Sequence, residues 1–408
     1  MNRYKSLILA VLLLSFLSCE KTEERAIVDP KPIILPEKGN EVICKSNDFG
    51  INLFRISSVD EQTNLMLSPL SASIALTMLL NGCNNETYNQ IHQMLGYDNL
   101  SIEEVNLIYK KLRDQLLKVD SKVDLAIANA VFYRQDFVVK PAFLDSMESV
   151  FSSHIEGLDF SVPAALTIIN GWASDNTHGK IPMVLSEISN EAVMFLMNAL
   201  YFKGKWTTEF KKESTAADDF YLDDGSVLEV DMMKGDVLSK FFFEEGYRVA
   251  ELPYGRSNFT MVVIIPDGTL NSLIENFDAT MWSNVTTQLD EIANFSTITL
   301  NMPIFKFSYE QILNNQLMSL GMNDAFDPEK ADLTGISDAG IYVNFVKQNT
   351  FVDVNEEGTE AAAVTTIGIY ATSSGSPTYK INKPFIFVIR ERTTNTLLFI
   401  GKVVDPTN

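Results

Sequence analysis

Apolar residues recur along this chain with two distinct periods. Phe49, Leu53 and Ile56 fall at helical spacing, and Ser71 to Cys83 is apolar almost all round, as in a helix buried inside a domain. A further helical pattern runs from Ala164 to Asn176, with Gly179 placed to cap its C-terminal end. Phe259 to Ile265, Phe385 to Ile389 and Leu397 to Ile400 are short runs of bulky apolar residues, which predict strands buried on both faces. Val352 and Val354 alternate with Asp353 and Asn355, the strand period. No period of about 20–50 residues repeats and no Gly/Ser-rich linker divides the body. Helices and strands mixed without regular alternation predict one α+β domain over 45–408.

The N-terminus follows different rules. Arg3 and Lys5 precede an apolar run from Leu7 to Leu17, then Ser18 and Cys19. That run is too short to span a bilayer and predicts a signal peptide over 1–18. Phe16-Leu17-Ser18-Cys19 resembles the lipobox of bacterial lipoproteins, in which the cysteine becomes the lipidated first residue. The resemblance implies an exported chain of the cell envelope, at the outer membrane, the cell surface or the extracellular space, touching membrane only through the lipid on Cys19. The stretch that follows is acidic and carries Pro30, Pro32 and Pro36, which predicts an extended tether over 19–44.

Composition narrows the function. Of 408 residues, 46% are hydrophobic and 21% charged, which excludes wholesale disorder. With 32 basic against 53 acidic residues the net charge is -21, so nucleic acid, which binds through Lys/Arg contacts to phosphate, is excluded as a partner. Three cysteines form no disulfide framework; Cys44 and Cys83 pair if adjacent in space and are otherwise buried thiols. Three histidines leave little material for a metal site. His-Glu-x-x-His, a phosphate-cradling Gly loop and a Gly-x-Ser-x-Gly elbow are all missing, so neither an enzyme nor a bound cofactor or metal is expected.

Residues 354–377, VNEEGTEAAAVTTIGIYATSSGSP, are poorly committed to either helix or strand. A helix through the alanines is undercut by Val364 to Ile367, which favour strand, and by Gly368, Gly375 and Pro377. Counted as a strand from Thr359, one face carries Thr359, Ala361, Ala363, Thr365, Ile367 and Ile369, without a charge. A polar, loop-like segment is thus patterned for burial as a strand.

With this segment the chain resembles the serpin family. NLMLSPLSASIALTMLLNGC (64–83) is similar to the family's first buried strand and central helix, and INGWASDNTHGKIPMVL (169–185) to the helix across its main sheet. FLMNALYFKGKW (195–206) is similar to the third strand of that sheet, VNEEGTEAAA (354–363) to the hinge of the reactive loop, and NKPFIFVIRERTTNTLLFIGKVVDP (382–406) to the C-terminal strand pair. The resemblance implies an α+β serpin fold, about nine helices around three β-sheets, with an exposed reactive loop near 356–378.

It further implies a monomeric, covalent suicide inhibitor of serine proteases, some cysteine proteases included. A protease attacking the loop would form an acyl-enzyme, and the freed loop would enter the main sheet as a new strand. Glu356, Glu357, Gly358, Thr359, Glu360, Ala361, Ala362 and Ala363 correspond to the hinge, whose small inward residues suit rapid insertion. Ser68, Ser71 and Asn198 match the polar cluster beneath the sheet opening, to which Trp206 and Gln348 are added. Gln348 stands where the family often has histidine, so it can bridge strands but not titrate. Ser68-Pro69 also reads as an ordinary turn leading into a helix. The family's spacing from Glu356 places the attacked bond at Thr372–Ser373; counting back from Asn382 gives Ser373 as the attacked residue. The alternative is a serpin-fold surface protein without inhibition, a ligand carrier or adhesin.

Overall fold

The computed structural model describes residues 29–359 and 378–408. Residues 1–18, read as a signal peptide, Cys19 and the loop positions Glu360, Ala361, Ala362, Ala363, Thr372 and Ser373 lie outside the described residues. From the N-terminus the elements are α1 (Gly39–Asp60), β1 (Leu65–Leu67), α2 (Pro69–Leu80), α3 (Asn85–Met94) and α4 (Ile102–Val119). There follow β2 (Val123–Arg134), α5 (Pro141–Ser149), β3 (His154–Leu158), α6 (Pro163–Asn176) and β4 (Met194–Lys205). Next come β5 (Ala216–Tyr221), β6 (Val227–Glu244), β7 (Tyr247–Pro253), β8 (Phe259–Pro266), α7 (Leu270–Asn276) and α8 (Ala279–Glu291). The chain continues with β9 (Ser296–Pro303), β10 (Phe305–Ile312), α9 (Asn314–Ser319), β11 (Lys347–Asn355) and β12 (Gly358–Thr359). It closes with β13 (Thr378–Lys380), β14 (Phe385–Glu391) and β15 (Thr396–Val403).

Local chemistry explains the helix starts. Ser68 caps α2, its Oγ accepting from Ser71 N at 3.2 Å, and Pro69 takes the first helical position, where a missing N–H costs nothing. α4 opens on a reciprocal pair, Ser101 with Glu104. α6 ends where the pattern predicted: Gly179, at φ 79°, donates its N–H to Ser174 O at 2.8 Å.

Among the described residues the strands form two sheets. The six-stranded one runs β10-β11-β12-β4-β2-β3. The nine-stranded one runs β1-β15-β14-β8-β7-β6-β9-β13, with β5 on β6. The third sheet expected from the resemblance is the far part of the second: Lys240–Glu244 of β6 pair with β7, while Met232–Ser239 pair with β9. Every residue of β8, β14 and β15 is buried, as the uninterrupted apolar runs predicted. α2 lies between the sheets and is buried along nearly its whole length.

Two expectations need correction. The stretch read as a tether to residue 44 becomes helical at Gly39, and among its described residues Lys31 and Ile34 are clasped to the body. Asn258 bonds Lys31 in both directions (Lys31 N to Oδ1 at 3.0 Å, Nδ2 to Lys31 O at 2.8 Å), and Gln115 does the same for Ile34 at 2.9 and 2.7 Å. Prolines at 30, 32 and 36 bar a strand ladder, and side-chain amides supply the hydrogen bonds instead. Cys44 and Cys83 are unpaired, and only Cys83 is buried; burial pushes its thiol well above the ordinary value.

Candidate functional site

The hinge sits at the mouth of the six-stranded sheet. β11 ends at Asn355, Glu356 and Glu357 turn the chain, and β12 returns with Asn355 opposite Gly358 and Val354 opposite Thr359. On its other edge β12 pairs with Lys205 and Gly204 of β4. Gly358 is required here: φ is 148°, and a Cβ would lie 2.1 Å from Gly204 O.

The turn is tied down from all sides. Glu356 O accepts from Phe210 N at 2.8 Å and its Oε1 from Thr215 Oγ1 at 2.6 Å; Glu357 O accepts from Trp206 N at 2.9 Å. Glu357, 5% exposed, bonds Lys212 Nζ at 2.7 Å, and that bond raises the lysine's pKa. Trp206 Nε1 donates to Asn355 O at 2.9 Å, and its ring stacks on Tyr254 with centroids 4.4 Å apart and planes 12° from parallel. The Tyr254 hydroxyl meets Thr359 Oγ1 at 2.6 Å, both groups buried. Burial pushes the Tyr254 phenol far above its ordinary value, so it stays protonated as a neutral hydrogen-bonding group.

Below Thr359 the sheet is parted. Among the described residues no ladder joins β11 to β4, and a cavity of about 410 Å³ runs between them, floored by α2 and flanked by α6. Ser68, Ser71, Asn198 and Gln348 all line it. Gln348 binds the backbone of Ser68 both ways, Oε1 accepting from Ser68 N at 2.9 Å and Nε2 donating to Ser68 O at 3.0 Å. Ser68 Oγ in turn donates to Leu398 O at 2.7 Å. On the opposite bank Asn198 Nδ2 donates to Asn129 Oδ1 at 2.7 Å, while Asn198 Oδ1 is buried without a hydrogen-bond partner. The expected cluster is thus split across the slot, β11 and α2 on one side and β4 on the other. Trp206 is not among the slot residues; it stands at the mouth with the hinge.

Sequence reasoning missed Tyr254 and Gly204. A Cβ on Gly204 would meet the Tyr254 ring at 2.9 Å, so that glycine makes room for the ring. A glycine inside the strand pattern FLMNALYFKGKW was the available signal, since it marks close approach by another group. Nothing local in Pro253-Tyr254-Gly255 points to a partner 105 residues away.

Residues 45–406 match the serpin (serine protease inhibitor) family, and the chain belongs to it. Iripin-3 of Ixodes ricinus is 31% identical over 379 residues, covering 90% of this chain and 95% of that protein. Human antithrombin-III is 33% identical over 368 residues, covering 86% of this chain and 78% of its own length. The native-state crystal structure of tengpin, a thermophilic serpin, superposes with a TM-score of 0.80 at 34% identity, covering 90% of this chain and 94% of that one. The family includes protease inhibitors such as antithrombin.

Proposed function

We propose that this protein is a single-use covalent inhibitor of serine proteases that traps its target by inserting its cleaved loop between β4 and β11. The observation that carries the reading is the hinge: Gly358–Thr359 already forms the first two residues of a strand between β11 and β4, which are otherwise parted. Continuing the Val354–Thr359 register would set Ala361, Ala363 and Thr365 opposite Val352, Thr350 and Gln348. Those three β11 residues are buried, so the uncharged face of the loop would be the one turned inward.

In the proposed reaction a protease serine attacks the Thr372 carbonyl, the Thr372–Ser373 bond breaks, and Ser373 leaves with a free amine. The acylated strand zips into the slot and carries the enzyme with it. Thr359 to Thr372 is 14 residues, about 46 Å as a strand. A body of roughly 365 residues is about 50–55 Å across, so the enzyme would travel nearly pole to pole. No Lys or Arg lies between Glu356 and Tyr379, which favours elastase- and subtilisin-like enzymes over those needing a basic residue.

Mixing the mature protein with elastase, trypsin and subtilisin tests the reading. A denaturant-resistant complex with the shallow-pocketed enzymes is expected; cleaved fragments alone from every enzyme would leave a surface carrier or adhesin. Mass spectrometry of the C-terminal fragment should find it starting at Ser373. A fragment starting at Ala371 would move the attacked residue to Tyr370 and the target to chymotrypsin-like proteases.

A further inference from the structure

Thr359 is held by a side chain that no strand pairing requires. Tyr254 comes from the turn between β7 and β8, in the other sheet, and places its hydroxyl 2.6 Å from Thr359 Oγ1. Its position is fixed from three directions. The ring stacks on Trp206, the Tyr254 N–H donates to Phe259 O at 2.9 Å, and Gly255 N donates to Lys205 O at 2.8 Å. The turn is further pinned by Arg256 N to Asp120 Oδ2 at 2.6 Å. Tyr254 is fully buried, so a hydroxyl there without a partner would be costly.

We propose that Tyr254 is a positioning residue for inhibition: its hydroxyl latches Thr359 into the sheet mouth and so sets the register from which the cleaved loop inserts. The inference rests on the inhibitory reading and adds a residue to it. Register matters because side chains alternate with a period of two. A slip of one residue would turn Glu360 inward in place of Ala361, placing a carboxylate against the face of Val352. The two-residue turn at Glu356–Glu357 narrows the choice of register, and the Tyr254–Thr359 bond selects one, since only Thr359 brings a hydroxyl to that depth. A latched Thr359 also means that the first pair of the new strand exists before cleavage. Insertion then propagates from a formed end, while an unlatched hinge must first find one as hydrolysis of the acyl bond competes.

The test uses the full mature chain with subtilisin as probe, comparing wild type with Tyr254→Phe, Thr359→Val, Thr359→Ser and the double variant Tyr254→Phe/Thr359→Val. Tyr254→Phe keeps the ring on Trp206 and removes only the hydroxyl. The expected result is about fivefold more cleaved protein per complex formed for Tyr254→Phe and for Thr359→Val, the worth of one hydrogen bond. The double variant should be no worse than either single one, and Thr359→Ser should behave as wild type. Equal partition in wild type and Tyr254→Phe would overturn the latch. Amide hydrogen exchange at Thr359 in the unreacted protein reads the latch independently of inhibition. If even wild type forms no complex, the inhibitory reading falls, and exchange alone decides the latch: faster exchange in Tyr254→Phe supports it, unchanged exchange overturns it.

Discussion

Arg390 and Glu251 show how a residue's place can contradict its chemistry. Both are fully buried, with Arg390 Nη2 and Nε on Glu251 Oε1 at 2.7 and 3.1 Å and Thr260 Oγ1 donating to the same oxygen at 2.9 Å. Burial opposes the carboxylate's charge, but Arg390 and Arg392 outweigh it and hold Glu251 below its ordinary 4.5. Glu251→Gln would leave the buried Arg390 with only Asp290, at 3.4 Å, as a charged partner, at a cost of up to about 3 kcal/mol, read as a lower denaturation midpoint at pH 7. The sign of the pH dependence follows from the lowered value. The stabilisation is fully present above the unfolded-state pKa and is lost as pH falls through the folded one. The gap between wild type and Glu251→Gln should therefore narrow as pH is taken below about 4.5. The strand read from the sequence stopped at Ile389, one residue short of Arg390, and the partner was not readable at all, since Glu251 is 139 residues away.

At the scale of elements, the hinge and the strap mark where local reading worked and where it stopped. The period-two count from Thr359 put that residue on the inward face, and the structure places it there, buried between β11 and β4. Thr359→Arg should accordingly sink the trap. A charge on the buried face is costly, so cleavage of the loop should continue at a similar rate while the resistant complex disappears from the gel. Equal complex yield from wild type and variant would mean that the loop does not insert this way. The strap at 29–38 was read as a tether because three prolines and an acidic composition carry no strand or helix signal. What binds it, the Asn258 and Gln115 side chains, is supplied by distant elements that no local pattern joins to it.

At the scale of the whole molecule, a parted sheet followed in the chain by a strand-length stretch of matching alternation predicts that the unreacted fold is not the most stable one. Filling the slot would add ladder bonds of about 1 kcal/mol each and bury Ile367 and Ile369 at about 1.5–3 kcal/mol each. Cleavage within the loop should therefore raise the thermal midpoint, and calorimetry before and after limited subtilisin digestion checks this; an unchanged or lowered midpoint would contradict insertion. Lipid anchoring at Cys19, an expectation from the lipobox-like Phe16-Leu17-Ser18-Cys19, is tested separately. Cys19→Ala should release the protein from the membrane fraction to the soluble one. Lipoprotein anchors carry more than one acyl chain, and loss of all of them leaves no membrane affinity. Unchanged partition would remove that expectation.

The sequence alone determined what depends on near neighbours and on period. α2 and α6 were readable from apolar spacing, β8, β14 and β15 from unbroken apolar runs, and the inward face of the hinge from alternation. These follow from backbone geometry, which repeats every 3.6 or 2 residues whatever the rest of the chain does. Tertiary structure alone decided that Gln348 bridges to Ser68 from 280 residues away, that Asn198 faces the slot from the other bank, and that Trp206 belongs to the mouth. It also decided that Tyr254 reaches Thr359 at all. Hydrogen bonds and ion pairs between distant elements depend on how two sheets and a buried helix close on one another, and a packing of that kind leaves no periodic trace in the residues it joins.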